Sequence, residues 1–146
     1  PPRIFITLYG GSPPRFRTAR KVTTYGTKID NARGKAVTPT ASGGAASVTE
    51  MTASTSEDHF YFLPGFQVST TTTVTLKNYA IGIGVGPSTE ERIGTWWLRC
   101  DASEHQSMHG TLGAWRHVPA SSRLTLLVSN SGTNDTAYDG HIYAVS

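Results

Sequence analysis

The sequence predicts an all-β, jelly-roll-like antiparallel β-sandwich carrying an extended basic N-terminal arm. Three observations predict it. Hydrophobic residues make up 37% of the 146 residues and charged residues 16%, with 15 glycines, the profile of a loop-rich β protein rather than of an Ala/Glu/Lys/Leu-rich helical one. The C-terminal third alternates with period two: Leu124, Leu126 and Val128 fall on one side, Thr125, Leu127 and Ser129 on the other, as a strand with one face in a core requires. Short turns separate this run from apolar runs before and after it, and no helical period intervenes, which argues for stacked antiparallel sheets.

The elements follow in order. Arg3 to Tyr9 (RIFITLY) alternates and reads as a strand. Gly10 to Pro14 (GGSPP) ends it, because prolines cannot donate to a ladder. Arg15 to Lys21 (RFRTARK) is basic with one aromatic, and Val22 to Tyr25 reads as a short strand. Residues 29–46, rich in Gly, Ala, Thr and Ser, read as an extended connector. Residues 1–46 are thus arm and connector, and residues 47–146 the sandwich body. Within the body, strands are expected near 47–53, 58–64, 72–86, 92–100, 112–118, 123–129 and 137–145. Gly82, Gly84 and Gly86 alternate with Ile81, Ile83 and Val85. Such a strand either accepts the close approach of a backbone or bulky side chain, or is a bent edge.

Charge divides the chain. Residues 1–35 hold eight basic residues against Asp30, a balance of +7, while residues 36–146 balance at −4. A basic arm on an acidic body suits a chain that anchors by one end. Cys100 is alone, so no intrachain disulfide staples the fold and synthesis in a reducing cytoplasm is expected. No apolar run reaches the length of a membrane-spanning helix, and no membrane partner is expected.

Candidate chemistry is sparse. Cys100 to His109 (CDASEHQSMH) places His105 and His109 four apart, a zinc spacing on a helix, but Gln106 stands where a zincin has Glu. A polar loop accounts for the segment, and no metal or cofactor is expected. A Ser103/His105/acid triad lacks a nucleophile elbow. Glu90 and Glu91 are adjacent, so on a strand they point to opposite faces. No enzyme is expected. Trp96 and Trp97 must likewise diverge. One of them joins Leu124, Leu126 and Val128 in the core, and the other, with Trp115, is a candidate for a subunit interface, for packing on a sheet surface, or for stacking on a glycan. The arm residues Arg3, Arg15, Phe16, Arg17, Arg20 and Lys21 are the candidate partner-binding set. An acidic protein surface is the expected partner, and nucleic acid is not, since no readout module accompanies the charge.

Three blocks also resemble a known family. "HVPASSRLTLLVS" is similar to the "pIPAGSRL" turn and strand of a β-sandwich domain found in tailed-bacteriophage virion proteins. "SVTEMTASTSEDHFYFLPGF" is similar to its "TEITASTSFD" block, and "IGIGVGPSTEERI" to its "DI.vG..gsE..I" block. Together they cover about residues 45–146 in the family's order. Ser121 departs from the pattern, standing where the family usually has Gly. The resemblance implies a structural virion protein that decorates or stabilises the capsid, or forms part of the tail or fibre apparatus, docking through its arm on capsid or tail subunits. It also implies a homo-oligomer, usually a trimer, and localisation in the virion after synthesis in the host cytoplasm. A carbohydrate-binding module for the host surface is the alternative.

Overall fold

A computed structural model of the chain describes residues 21–26, 34–40, 45–68, 77–100, 108–109, 113–132 and 138–146. Among these residues the chain forms ten strands and no helix: β1 (Val22–Tyr25), β2 (Lys35–Val37), β3 (Ser47–Thr52), β4 (His59–Val68), β5 (Lys77–Val85), β6 (Glu91–Cys100), β7 (Met108–His109), β8 (Ala114–Val118), β9 (Leu124–Asn130) and β10 (Tyr138–Val145). They make two antiparallel sheets. The first, sheet A, runs β1-β10-β4-β7, with β2 also on β10 and β8 also on β4; the second, sheet B, runs β3-β9-β5-β6. β1 and β2 share one side of β10, so sheet A is four strands wide, like its partner. Apart from β1–β2, β5–β6 and β7–β8, every connection passes from one sheet to the other. This is the crossing connectivity expected of a jelly-roll-like sandwich.

The core lies where the inward rows meet. Leu124, Leu126 and Val128 of β9 are fully buried, with Tyr79, Ile81 and Ile83 of β5 beside them and Phe62, Phe66, Ile142 and Ala144 opposite. At about 1.5–3 kcal/mol for each large apolar side chain buried, this row carries the stability of the body. β4 runs on through Pro64 to Val68, past the expected end. Pro64 falls between the pairs Phe62–Ala114 and Gly65–His109, so among the described residues a proline there interrupts neither pairing.

Pairing with the body begins upstream of residue 47. Val22–Tyr25 and Lys35–Val37 both pair with β10, and Thr40 bridges to β9, accepting from Asn130 N–H at 2.8 Å. Sequence alone presents residues 35–37 only as part of a connector, because three residues carry no readable period. β5 lies between β9 and β6, so the glycine-alternating strand is central, and the bent-edge reading of it is corrected.

Candidate functional site

The outward faces of the two sheets differ, and that difference locates the site. On sheet A the register aligns Val22, Val145, Tyr61 and Trp115 in one row across four strands. A second row aligns Thr24, Tyr143 and Leu63. Val22 is 62% exposed, Trp115 71%, Phe60 48% and Tyr143 39%. Of the six large hydrophobic side chains exposed among the described residues, Val22, Trp115 and Tyr143 lie in these rows and Phe60 borders them, stacked on His117; Val48 and Trp97 belong to the other sheet. A contiguous apolar surface of this kind marks a place where something docks.

The aromatic end of the face is held rigid. Tyr61 and Trp115 pack with ring centres 4.8 Å apart, and Phe60 stacks on His117 at 5.0 Å. The Tyr61 hydroxyl accepts from Gly113 N–H at 2.8 Å, which fixes the ring from behind. His117 Nε2 lies 3.2 Å from Asp58 Oδ2, and Asp58 Oδ1 accepts from Ala120 N–H at 2.8 Å. The Ala120 amide, and then His117, hold the Asp58 carboxyl below its ordinary pKa. On β8, alternation turns Trp115 and His117 outward and Arg116 the other way, where it meets Glu91 of β6 at 2.5 Å. At the opposite end of the row Lys21 pairs with Glu57 at 2.6 Å.

Beneath this face lies a buried histidine. His59 is fully buried, and its Nε2 lies 2.8 Å from the Tyr25 hydroxyl, joining β4 to β1. Its Nδ1 has no hydrogen-bond partner among the described residues. Burial lowers its pKa from the ordinary histidine value, against a smaller opposing pull from Glu57 and Asp58. Neutral imidazole is therefore the form the fold selects.

Sheet B covers part of its own outward face. Arg123 reaches Glu50 of β3 at 2.8 Å and Glu90, just before β6, at 2.6 Å. The Glu90 side chain lies over Gly84, where a Cβ would come within 2.7 Å of Glu90 Cβ and 2.6 Å of Thr125 Oγ1. The bulky side chain that a glycine-lined strand accommodates is thus Glu90, and Arg92 lies over Gly82 in the same way. Thr125 and Leu127, outward by alternation, are buried in this setting. Glu50, Glu90 and Arg123 come one from each of the three sequence blocks singled out above, so the blocks converge in a single ion cluster.

Of the residues expected at the site, Trp115 stands on the docking face. Trp97 is 77% exposed on the outward side of sheet B, and Trp96 turns inward against the core. The three tryptophans therefore do not form one surface. Lys21 lies at the rim of the docking face, engaged with Glu57. Arg3, Arg15, Phe16, Arg17 and Arg20 lie outside the described residues, as do Ser103 and His105 and the side chains of Cys100 and His109. Among the described residues no group of three His, Cys, Asp or Glu side chains could hold a metal ion, and no helix is long and apolar enough to cross a membrane. Sequence reading missed Tyr61, Phe60, Val22 and Val145 as site residues. Their signal is cross-strand register, which no single strand displays.

No protein-family model and no curated protein sequence matches the chain. Among solved structures, the chain is similar to one described as the structure of infectious bursal disease virus, Gx strain. The identity is 13% and the TM-score 0.43, with 86% of this chain and 32% of that chain covered. The present chain thus spans about a third of that chain's length. The similarity is to a virus structure and not to one of a tailed phage.

Proposed function

We propose that this chain is a non-catalytic structural component of a virion, and that it docks on neighbouring subunits through the outward face of sheet A. One observation carries the reading. Four of the six large hydrophobic side chains exposed among the described residues belong to sheet A, and two of them, Val22 and Trp115, stand at the ends of one register-aligned row completed by Val145 and Tyr61. Rigid aromatic anchors on a flat sheet suit a protein interface, because little side-chain entropy is lost when they are covered. The sequence resemblance supplies the tailed-phage setting, the capsid-decorating or tail-associated role and the homotrimer, with the basic arm as a second attachment. Immunogold labelling of intact particles from the producing source tests this. Label on heads or tails supports the reading, and recovery of the chain solely outside particles contradicts it.

A second reading has its own support. Trp115 and Tyr61 are flanked by the polar groups of His117 and Asp58, a combination that also suits a sugar ring stacked on an aromatic and bonded at its edge. Saturable quenching of tryptophan fluorescence by host-surface oligosaccharides, abolished by Trp115→Phe, would favour this alternative.

A further inference from the structure

The apolar row on sheet A begins at Val22, the second described residue of the chain. The polypeptide therefore leaves the fold beside the face that needs covering. Twenty residues precede Lys21, and they include the alternating run RIFITLY. In a strand, Ile4, Ile6 and Leu8 fall on one side, an aliphatic stripe that complements Val22, Val145, Leu63 and the rings of Tyr143, Tyr61 and Trp115. Seven residues in a strand span about 23 Å, enough to cross four strands spaced about 4.8 Å apart.

The spacer between this run and the sheet decides where it lands. Residues 10–21 can extend over about 40 Å, further than the thickness of one sandwich. A proline pair such as Pro13-Pro14 fixes φ and favours an extended path over tight reversal, a composition suited to reaching a neighbouring molecule. The charge of Arg15, Arg17 and Arg20 complements a body whose balance is −4, which favours a second molecule over solvent as their partner. Exchange of an identical element between copies is a low-cost route to an oligomer.

We infer that residues 3–9 of one copy lie as a strand across the outward face of sheet A of a second copy, closing an arm-exchanged homo-oligomer. This rests on the reading of that face as a docking surface. It adds the occupant: the chain's own N-terminal strand, supplied by a neighbour.

The test uses the full chain in a Cys100→Ser background. Ile6→Cys chains are mixed with Tyr143→Cys chains and oxidised, with Val48→Cys on the other sheet as the control position. A disulfide between Ile6→Cys and Tyr143→Cys chains, and none with Val48→Cys, is the expected result. In the otherwise native chain, Ile4→Asp with Ile6→Asp should weaken self-association by about tenfold or more in sedimentation, while the thermal transition of the body stays cooperative. The exchange is overturned by a disulfide formed only within a doubly substituted chain, by no disulfide, by equal coupling to Val48→Cys, or by unchanged sedimentation of the aspartate variant. If the cysteine variants do not fold, sedimentation alone decides. Particle labelling is scored separately, so failure of the exchange leaves the docking reading intact, and absence from particles leaves the exchange intact.

Discussion

The two sheets solve the same problem in opposite ways. Each buries one face in the shared core and must do something with the other. Sheet B roofs the Gly84–Thr125 part of its outward face with its own side chains, Glu50, Arg123 and Glu90 forming an ion cluster over it, and leaves Trp97 and Val48 outside that roof. Sheet A leaves Val22, Phe60, Tyr143 and Trp115 to solvent. A face completed within the chain is a matter of stability, whereas a face left apolar is a matter of partners. The contrast separates residues whose loss should unfold the protein from residues whose loss should only isolate it.

The largest effect should come from breaking the roofed face. Gly84→Val places a side chain where Glu90 and Thr125 already sit, and overpacking of this kind costs about 1–3 kcal/mol. Urea denaturation should show the midpoint falling with an unchanged slope. An unchanged midpoint would mean that the ion cluster moves aside freely.

Acid should loosen the layer beneath the open face next. Because burial lowers the folded-state pKa of His59, the unfolded chain takes up the proton first as pH falls. Stability is complete above the unfolded value of about 6.5 and declines below it, until the folded form is protonated too. Glu57 and Asp58, lowered chiefly by Lys21 and by the Ala120 amide respectively, add a separate loss near pH 4, where unfolded carboxyls gain protons. Denaturation midpoints measured from pH 7.5 to 5 should fall, and His59→Gln should flatten that slope. A flat profile in the native chain would contradict the burial of a neutral imidazole.

A smaller effect, of opposite sign, is expected at the turn joining β8 to β9. Ser121 adopts φ 65°, the left-handed region that costs a non-glycine residue about 1–2 kcal/mol. Its N–H bonds Thr55 O at 2.8 Å, and Thr55 N–H bonds Ser122 O at 2.8 Å, so the turn cannot relax away. Ser121→Gly should raise stability by about 0.5–1 kcal/mol, the strain relieved less the extra freedom of the unfolded chain. A lower thermal midpoint would refute this.

The least effect on folding is expected at the open face. Trp115→Ser should shift stability by no more than about 0.5–1 kcal/mol, the worth of its ring contact with Tyr61, while removing attachment to particles. Loss of folding and attachment together would place Trp115 in the core account and not the docking account.

How much of this was legible in the sequence follows the same division. The seven body strands were readable because period-two alternation and turn residues are local signals, and Leu124, Leu126 and Val128 face the core as their spacing demands. The need for glycine at position 84 was half legible. Three alternating glycines announce a close neighbour, but that the neighbour is Glu90 depends on the β5–β6 turn. Ser121 was visible as a departure from a familiar turn, and its positive φ supplies the physical meaning. The docking face was not legible. Val22 and Trp115 lie at opposite ends of the chain, and only the pairings of β1 with β10, β10 with β4, and β4 with β8 bring them into one row. β2 and β7 were missed because strands of three and two residues carry no period.

The claim that sheet A carries the docking surface is tested most directly by hydroxyl-radical footprinting of the free chain and of the same chain in assembled particles. Trp115 and Tyr143 should lose labelling on assembly while Trp97, exposed on the roofed sheet, keeps it. Equal labelling of Trp115 and Tyr143 in both states, with Trp97 protected instead, would contradict the account.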